Sequence, residues 1–391
     1  NNTISYAGYA GISLSNHNTC VVSGNVIDQA IARGIQMYYC HNDIQVVKNK
    51  VTNTGQYGII LQYSNGGTGF PPQGLIANNM FEVGANGAGI YVYQSSNQHI
   101  YYNSVYVISG NSAAYYGLYN PASVVVQNNV LANFGASHAV NIYSGSEVFD
   151  YNDLVTSGNY VARTTSTEYA DLAAWQAGTG KDANSISVYP GYLSTTNLHT
   201  GSTWLNGKAT PVAEVTDDID GNARDGSTPD LGADEYTPTA LAPLSGVYTV
   251  GAGQNFTSFR AAATALNDRG VSGPVTFNVA NGTYNEHFTL LPIAGANETN
   301  TVTFQSATNV ASGVTLVFNA AAPESNYVVM LINADYVKFH KITVRGNNNT
   351  GASYSTVFYL SGGVDNFMLD SCNVFGYSSA NSSTNYCLVY A

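Results

Sequence analysis

Carboxylates are the densest chemistry in this chain. Asp217, Asp218, Asp220, Asp225, Asp230, Asp234 and Glu235 fall within one short stretch. Within it, Asp218, Asp220, Asn222 and Asp225 match part of a calcium loop, where hard carboxylate and amide oxygens at close spacing surround the ion. No glutamate stands at the last ligand position of the EF-hand pattern. Ca2+ is therefore the cofactor to look for here, no other is expected, and the competing reading pairs Arg224 with a nearby aspartate. A second charged group, Asp28, Arg33, Asp43, Lys48 and Lys50, lies upstream. Lys48 and Lys50 flank Asn49 and are expected to face solvent at a turn.

The remaining reactive types are scattered. His17, His41, His99, His138, His199, His287 and His340 show no His-x-x-x-His spacing, and lone histidines are more often satisfied structural residues than ligands. Cys20, Cys40, Cys372 and Cys387 form no Cys-x-x-Cys pair and read as free thiols behaving as small hydrophobes. No Gly-x-Ser-x-Gly elbow and no phosphate loop occurs. Tyrosine is the positive signal, with 30 copies and the runs Tyr38 and Tyr39, Tyr91 and Tyr93, Tyr101 and Tyr102, Tyr115 and Tyr116. Such rings stack on sugars or meet a neighbouring chain, although tyrosine also suits strands by propensity alone. Tyr91, Tyr93, Tyr101 and Tyr102 are the ligand-binding candidates.

Composition narrows the partners. Only 9% of residues are charged and 44% are hydrophobic, which provides for buried cores under a neutral polar surface. The formal net charge is -12, without a basic run, so phosphate neutralisation on nucleic acid is excluded as a working hypothesis. No stretch of about 18 apolar residues marks a membrane span.

The elements that must position these groups come from a repeat. An apolar-x-x-Asn-x-apolar motif recurs at Asn25, Asn49, Asn79, Asn103, Asn129 and Asn152, with Asn2 opening the series. Spacings are about 22 to 26 residues, and about 30 between Asn49 and Asn79, where residues 66–72 supply a loop. Val22, Val46, Ile76, Ile100, Val126 and Phe149 precede each asparagine by three. Ile27, Val51, Phe81, Val105, Leu131 and Leu154 follow by two. A second strand starts at Gly11-Ile12, Gly34-Ile35, Gly58-Ile59, Gly89-Ile90, Gly117-Leu118 and Ala139-Val140. Such short units cannot bury an apolar face alone, so coils must stack at the inter-strand distance of about 4.8 Å. The asparagines are expected to form a structural ladder, each amide bonding its equivalents above and below and tolerating a left-handed backbone. The pattern predicts an all-β parallel solenoid. Leucine-rich and propeller signatures are absent.

The period stops after Asn152. A short helix over residues 169–177 presents Leu172 and Trp175 on one face, then come Asn184, Ser185 and Ile186, then Asp218, Asp220, Gly221, Asn222 and Arg224, then Pro229, Asp230, Leu231, Gly232, Ala233, Asp234 and Glu235. This order resembles the closing segment of pectin-lyase-like right-handed parallel β-helix proteins, common in large bacterial secreted and surface proteins. The resemblance covers roughly residues 1–236, with the closing segment at 155–236. Residues 237–245 read as a proline-marked linker. From 246 to 391 a helix over 257–266, stopped by Gly270, and strands at 275–279, 301–304, 314–318, 336–339 and 367–369, with a turn at 281–284, look like the start of a second β-helix of the same kind, the helix covering its open end.

The resemblance implies a fold more than an activity, because the family includes lyases, hydrolases and many proteins with no assigned chemistry. Its lyases need a carboxylate cluster for Ca2+ beside a basic residue and its hydrolases a pair of carboxylates; the coils carry neither set in full. The expectation is a structural or adhesive module of an extracellular or surface-borne bacterial fibre, its partner either another copy of itself or a polysaccharide. The alternatives are a polysaccharide lyase or hydrolase, or a non-catalytic carbohydrate-binding β-helix. The chain starts and stops within repeats, from which a piece of a longer tandem array is expected, with its export signal and anchor elsewhere.

Overall fold

The computed structural model describes residues 2–66, 74–84, 87–108, 113–120, 123–135, 137–143, 147–156, 158, 160–238, 242–320, 326–347, 353–377 and 384–391. Most of the 66–72 insertion and part of the 237–245 linker lie outside them. The chain divides into two compact units, Asn1–Thr239 and Ala240–Ala391.

In the first unit each strand pairs in parallel with the strand three further along the chain, which is the mark of a coil with three strands per turn. One sheet has seven strands, from Thr3–Ser5 through Lys50–Thr54 to Asp153–Thr156; a second has eight, from Ala10–Ser15 through Ala88–Tyr93 to Glu168–Tyr169; a third has six, from Asn18–Ser23 to Val148–Asp150. The pairing of Glu168–Tyr169 is antiparallel. The apolar columns lie in register as spaced in the sequence: Val22, Val46, Ile76, Ile100, Val126 and Phe149 on one sheet, and Ile27, Val51, Phe81, Val105, Leu131 and Leu154 on another. One alignment needs correction. Gly11, Gly34, Gly58 and Gly89 face the tightest part of the core, where a Cβ on Gly58 would sit 2.7 Å from Phe81. The next rung of that column is Ala114-Tyr115, not Gly117-Leu118, because Ile90 pairs with Tyr115. Gly117 instead makes room for the Tyr115 ring, 3.1 Å from where its Cβ would be.

The asparagines make an unbroken directional ladder. The backbone N–H and Nδ2 of Asn25 both donate to Asn49 Oδ1 at 3.0 Å, and the same pair of bonds repeats from Asn49 to Asn79, Asn79 to Asn103, Asn103 to Asn129 and Asn129 to Asn152. The second Nδ2 hydrogen reaches a carbonyl of the preceding coil, as from Asn103 to Ile76 at 2.9 Å. A chain of donors needs a terminal acceptor, and Asp182 provides it, taking Asn152 Nδ2 at 2.9 Å on Oδ1 and Trp175 Nε1 at 2.7 Å on Oδ2. The left-handed residue is not the asparagine itself but the one before it: Gly24, Lys48, Asn78, Tyr102, Asn128 and Tyr151 all have φ between 52° and 66°. That turn swings the asparagine side chain inward, where it is buried. A second polar column follows the same rule with changing residues: Cys40 N–H donates to Ser64 Oγ, Ser64 N–H to Ser95 Oγ, Ser95 N–H to Asn120 Oδ1, and Asn120 Nδ2 to the terminal carboxylate Glu147.

Helix α1, Leu172–Thr179, is capped by Asp171, whose side chain accepts from Ala174 N–H, and ends at left-handed Gly180. It plugs the last coil with Trp175, edge-on to Phe149 at 6.3 Å and to Tyr169 at 5.2 Å.

The second unit has three parallel sheets of five, four and four strands. Helix α2, Phe259–Arg269, starts at the cap Ser258 and buries Phe259, Ala262, Ala263 and Leu266. Glu286 accepts from Phe259 N–H at 2.9 Å and Arg260 N–H at 3.1 Å, satisfying the helix start. The core is a phenylalanine column, Phe277 on Phe304 at 4.7 Å and Phe304 on Phe339 at 5.3 Å. The expected turn at 281–284 is instead mostly strand, Gly282–Asn285, paired with Val314–Val317. Its exposed glycine and threonine hide the alternation that would have marked it.

Candidate functional site

Tyrosines cover the outer face of the eight-stranded sheet. Register puts Gln36, Ile60, Tyr91, Tyr116 and Asn141 in one outward row and Tyr38, Gln62, Tyr93, Leu118 and Tyr143 in the next, and left-handed Tyr39, Tyr63 and Tyr119 extend the second row's edge. Tyr57 stacks on Tyr91 at 5.4 Å, Tyr91 meets Tyr116 at 5.1 Å, and Tyr116 meets Tyr143 at 5.9 Å, so the rings pass from coil to coil. Alongside, Tyr39 stacks on Tyr63 at 4.9 Å, Tyr63 touches Tyr93 edge-on at 5.1 Å, and Tyr93 meets Tyr119 edge-on at 6.4 Å. Outward Ile60 is only 2% exposed beneath this layer. The tract carries charge at its flanks, where Arg33 lies over Tyr9 at 4.8 Å and Arg163 over Tyr143 at 5.6 Å. Burial pushes the Tyr91 hydroxyl well above its usual range, with neighbouring tyrosines adding to the effect, so the face stays neutral.

Of the four ligand candidates, Tyr91 and Tyr93 lie half-exposed on this tract, but Tyr101 and Tyr102 do not. They are 6% and 0% exposed, covered by the closing segment, which crosses the left-handed turns of successive coils. Tyr102 Oη donates to Thr210 O at 2.7 Å, Asn128 and Thr210 exchange two bonds at 2.8 and 3.0 Å, Asn78 Nδ2 donates to Asp217 O at 2.7 Å, and Ala233 N–H donates to Ser104 Oγ at 3.0 Å. Lys48, expected to face solvent, pairs with Asp217 at 2.6 Å. Arg224 is the rivet: it donates to Asn78 Oδ1 at 2.8 Å and Gly232 O at 2.9 Å, lies 4.1 Å over the Tyr102 ring, and pairs with Glu235 at 3.2 Å rather than with an aspartate.

The expected calcium loop is closed by its own hydrogen bonds. Asp218 is fully buried; Oδ1 accepts from Asp220 N–H and Asn222 N–H, and Oδ2 from Asn222 Nδ2 and Glu235 N–H, all between 2.7 and 3.0 Å. Asp225 is exposed and accepts from Ser227 and Thr228 N–H, which lowers its pKa. These carboxylates do not converge on a common centre. Instead His199, Asp220 and Asp234 bring one ligand atom each within 4.8 Å of one another, the only such His, Cys, Asp and Glu trio among the described residues. The spacing 199, 220, 234 carries no motif, so sequence reading missed it. The four cysteines are free thiols, Cys40 buried and the other three partly exposed.

Four buried carboxyls outside that trio set a pH response. Burial raises the pKa of Glu82, Asp153 and Asp182 and brings Asp230 up to about 6. A folded state that holds protons more tightly than the unfolded chain gains stability as pH falls through the window between the two pKa values. From the Asp230 value down to the ordinary carboxylate range near ~4, the fold is therefore expected to strengthen. The lowered carboxyls Asp28, Asp225 and Asp370 titrate below that window, whereas the imidazoles of His138 and His287, lowered by burial, cost stability as pH falls and are outnumbered by the raised carboxyls. Thermal unfolding of the full chain should occur several degrees higher at pH 5 than at pH 7.5, on the order of 2–4 °C per kcal/mol; a midpoint that falls steadily from pH 7.5 to 5 would contradict this assignment.

Residues 1–181 match the family described as NosD, periplasmic copper-binding protein (NosD). Comparison with curated proteins and with solved structures gives no match. Within the matched stretch His99 faces Glu214 at 2.7 Å and His138 faces Glu168 at 3.6 Å, and among its described residues no three His, Cys, Asp or Glu converge. No helix among the described residues is long and apolar enough to cross a membrane. Parallel sheets wound three strands to the coil, the polar ladders between coils and the match over residues 1–181 together show that the first unit is a right-handed parallel β-helix of the pectin-lyase-like fold.

Proposed function

We propose that this chain is a structural, adhesive β-helix module of the bacterial envelope or cell surface that grips polysaccharide along its tyrosine face without acting on it. The observation that carries this reading is the run of rings from Tyr57 through Tyr91 and Tyr116 to Tyr143 with the parallel run Tyr39, Tyr63, Tyr93 and Tyr119. Half-exposed tyrosines offer a flat apolar ring with a hydroxyl at its edge, suited to the apolar faces and hydroxyl rims of sugars. Because rungs repeat every ~4.8 Å, the surface suits an extended chain better than a single sugar. Its neutral centre disfavours a strongly charged protein partner, and the flanking Arg33 and Arg163 accommodate uronic-acid groups.

Affinity electrophoresis of the full chain through gels containing neutral or uronic-acid polysaccharides tests this. Retardation is expected with at least one of them, and the Tyr91→Ala/Tyr93→Ala double variant should lose tenfold or more of the affinity, about 1.4 kcal/mol, with unchanged circular dichroism. Equal mobility of both proteins in every gel would defeat the proposal. Concentration-dependent sedimentation abolished by the same pair of changes would point instead to self-association through this face.

A further inference from the structure

We propose that His199, Asp220 and Asp234 form a binding site for one borderline divalent cation of the zinc(II) class, held in the closing segment and independent of the tyrosine face. His199 stands on the strand Asn197–Thr200, Asp220 on the loop after Asp218, and Asp234 on the final stretch of the segment, so the site exists only once three separate pieces have docked. The imidazole Nδ1 lies 2.5 Å from Asn197 Oδ1. That oxygen can only accept, so Nδ1 carries the hydrogen, and a neutral ring leaves a lone pair on Nε2. Nε2 points at Asp220 Oδ2 at 2.8 Å, which is also only an acceptor.

Two lone pairs at that distance repel unless a cation lies with them or a second proton enters the ring. Asp234 is 7% exposed and its carboxylate lies within 4.8 Å of the ligand atoms of both His199 and Asp220, so two carboxylates and one imidazole converge on one point. A divalent ion matches the two carboxylates of the trio and uses the Nε2 lone pair, with Asn197 fixing the tautomer from behind as an outer-shell partner. One imidazole with two carboxylates, on a partly exposed rim open to water ligands, suits zinc(II) better than the all-oxygen shell of calcium.

The test uses the full chain after dialysis against a chelator, with zinc(II) followed by calorimetry and cobalt(II) by visible absorption. One equivalent of each should bind, with a cobalt d–d band. His199→Gln and Asp220→Asn, both at positions that are not fully buried, should each weaken binding at least tenfold without changing the fold, while Asp225→Asn should leave it intact. Absence of saturable binding, or binding that survives both His199→Gln and Asp220→Asn, would overturn the proposal and leave the trio as a structural contact of the closing segment.

Discussion

Replacing Asn103 with alanine is expected to destabilise the first unit by on the order of 4 kcal/mol, from the 1–3 kcal/mol cost of each buried polar group left unpaired. Asn103 Oδ1 accepts both Asn79 N–H and Asn79 Nδ2, and its own Nδ2 reaches Ile76 O, Tyr101 O and Asn129 Oδ1. Alanine leaves these groups without partners in a core closed to water, and the methyl group cannot fill the space. Asn103→Asp restores the acceptor for Asn79 but supplies no donors and buries a charge, so it should fare no better. Exposed Asn18 accepts one bond, from Asn42, and Asn18→Ala should stay within about 0.5 kcal/mol. Urea unfolding of the three variants measures the ordering; an Asn103→Ala chain within 1 kcal/mol of the parent would mean that the ladder is incidental to stability.

The second large effect is expected at Arg224. Its side chain is 3% exposed and its partner Glu235 is 13% exposed; Glu235 also accepts from Asp225 N–H and Asp230 N–H at 3.0 Å. Removing one member of a buried pair leaves the other charge uncompensated, typically at about 3–5 kcal/mol. Arg224→Met should therefore cost about that much, but locally. The coils hold themselves together through backbone pairing and the ladder, whereas the closing segment is fastened largely by side-chain bonds. Amide exchange should accelerate over residues 204–236 and at Tyr101 and Tyr102, and limited proteolysis should cut there first, while Ile90 and Val105 stay protected. Arg224→Lys restores the charge but not the planar fork that serves Asn78, Gly232 and Glu235 together, so it should fall between. Uniform loss of protection across the coils would show instead that the segment and the helix unfold as one.

How far each feature could be read beforehand follows from what encodes it. The ladder asparagines and the two apolar columns recur because every coil repeats the same inward positions, and a repeat exposes its own register. The second polar column was invisible, since Cys40, Ser64, Ser95, Asn120 and Glu147 share a geometric task without sharing a residue type. The misplacement of Gly117 has a similar cause: a glycine in the right neighbourhood was matched to the wrong rung, and only the pairing of Ile90 with Tyr115 fixes the offset. Tyr91 and Tyr93 were legible as outward residues from strand alternation. Tyr101 and Tyr102 were not separable from them, because what buries Tyr102 is Thr210 and Arg224, more than a hundred residues away.

From the order of its residues alone, this protein's coil period and its inward columns follow, because backbone pairing between identical rungs and the burial of apolar columns are local, repeated demands. Tertiary structure alone decided which tyrosines reach solvent, that Arg224 answers Glu235, and that His199 meets Asp220 and Asp234. Those contacts arise where a non-repeating segment folds back across the coils, and their distances depend on the docked path of the chain rather than on any spacing along it.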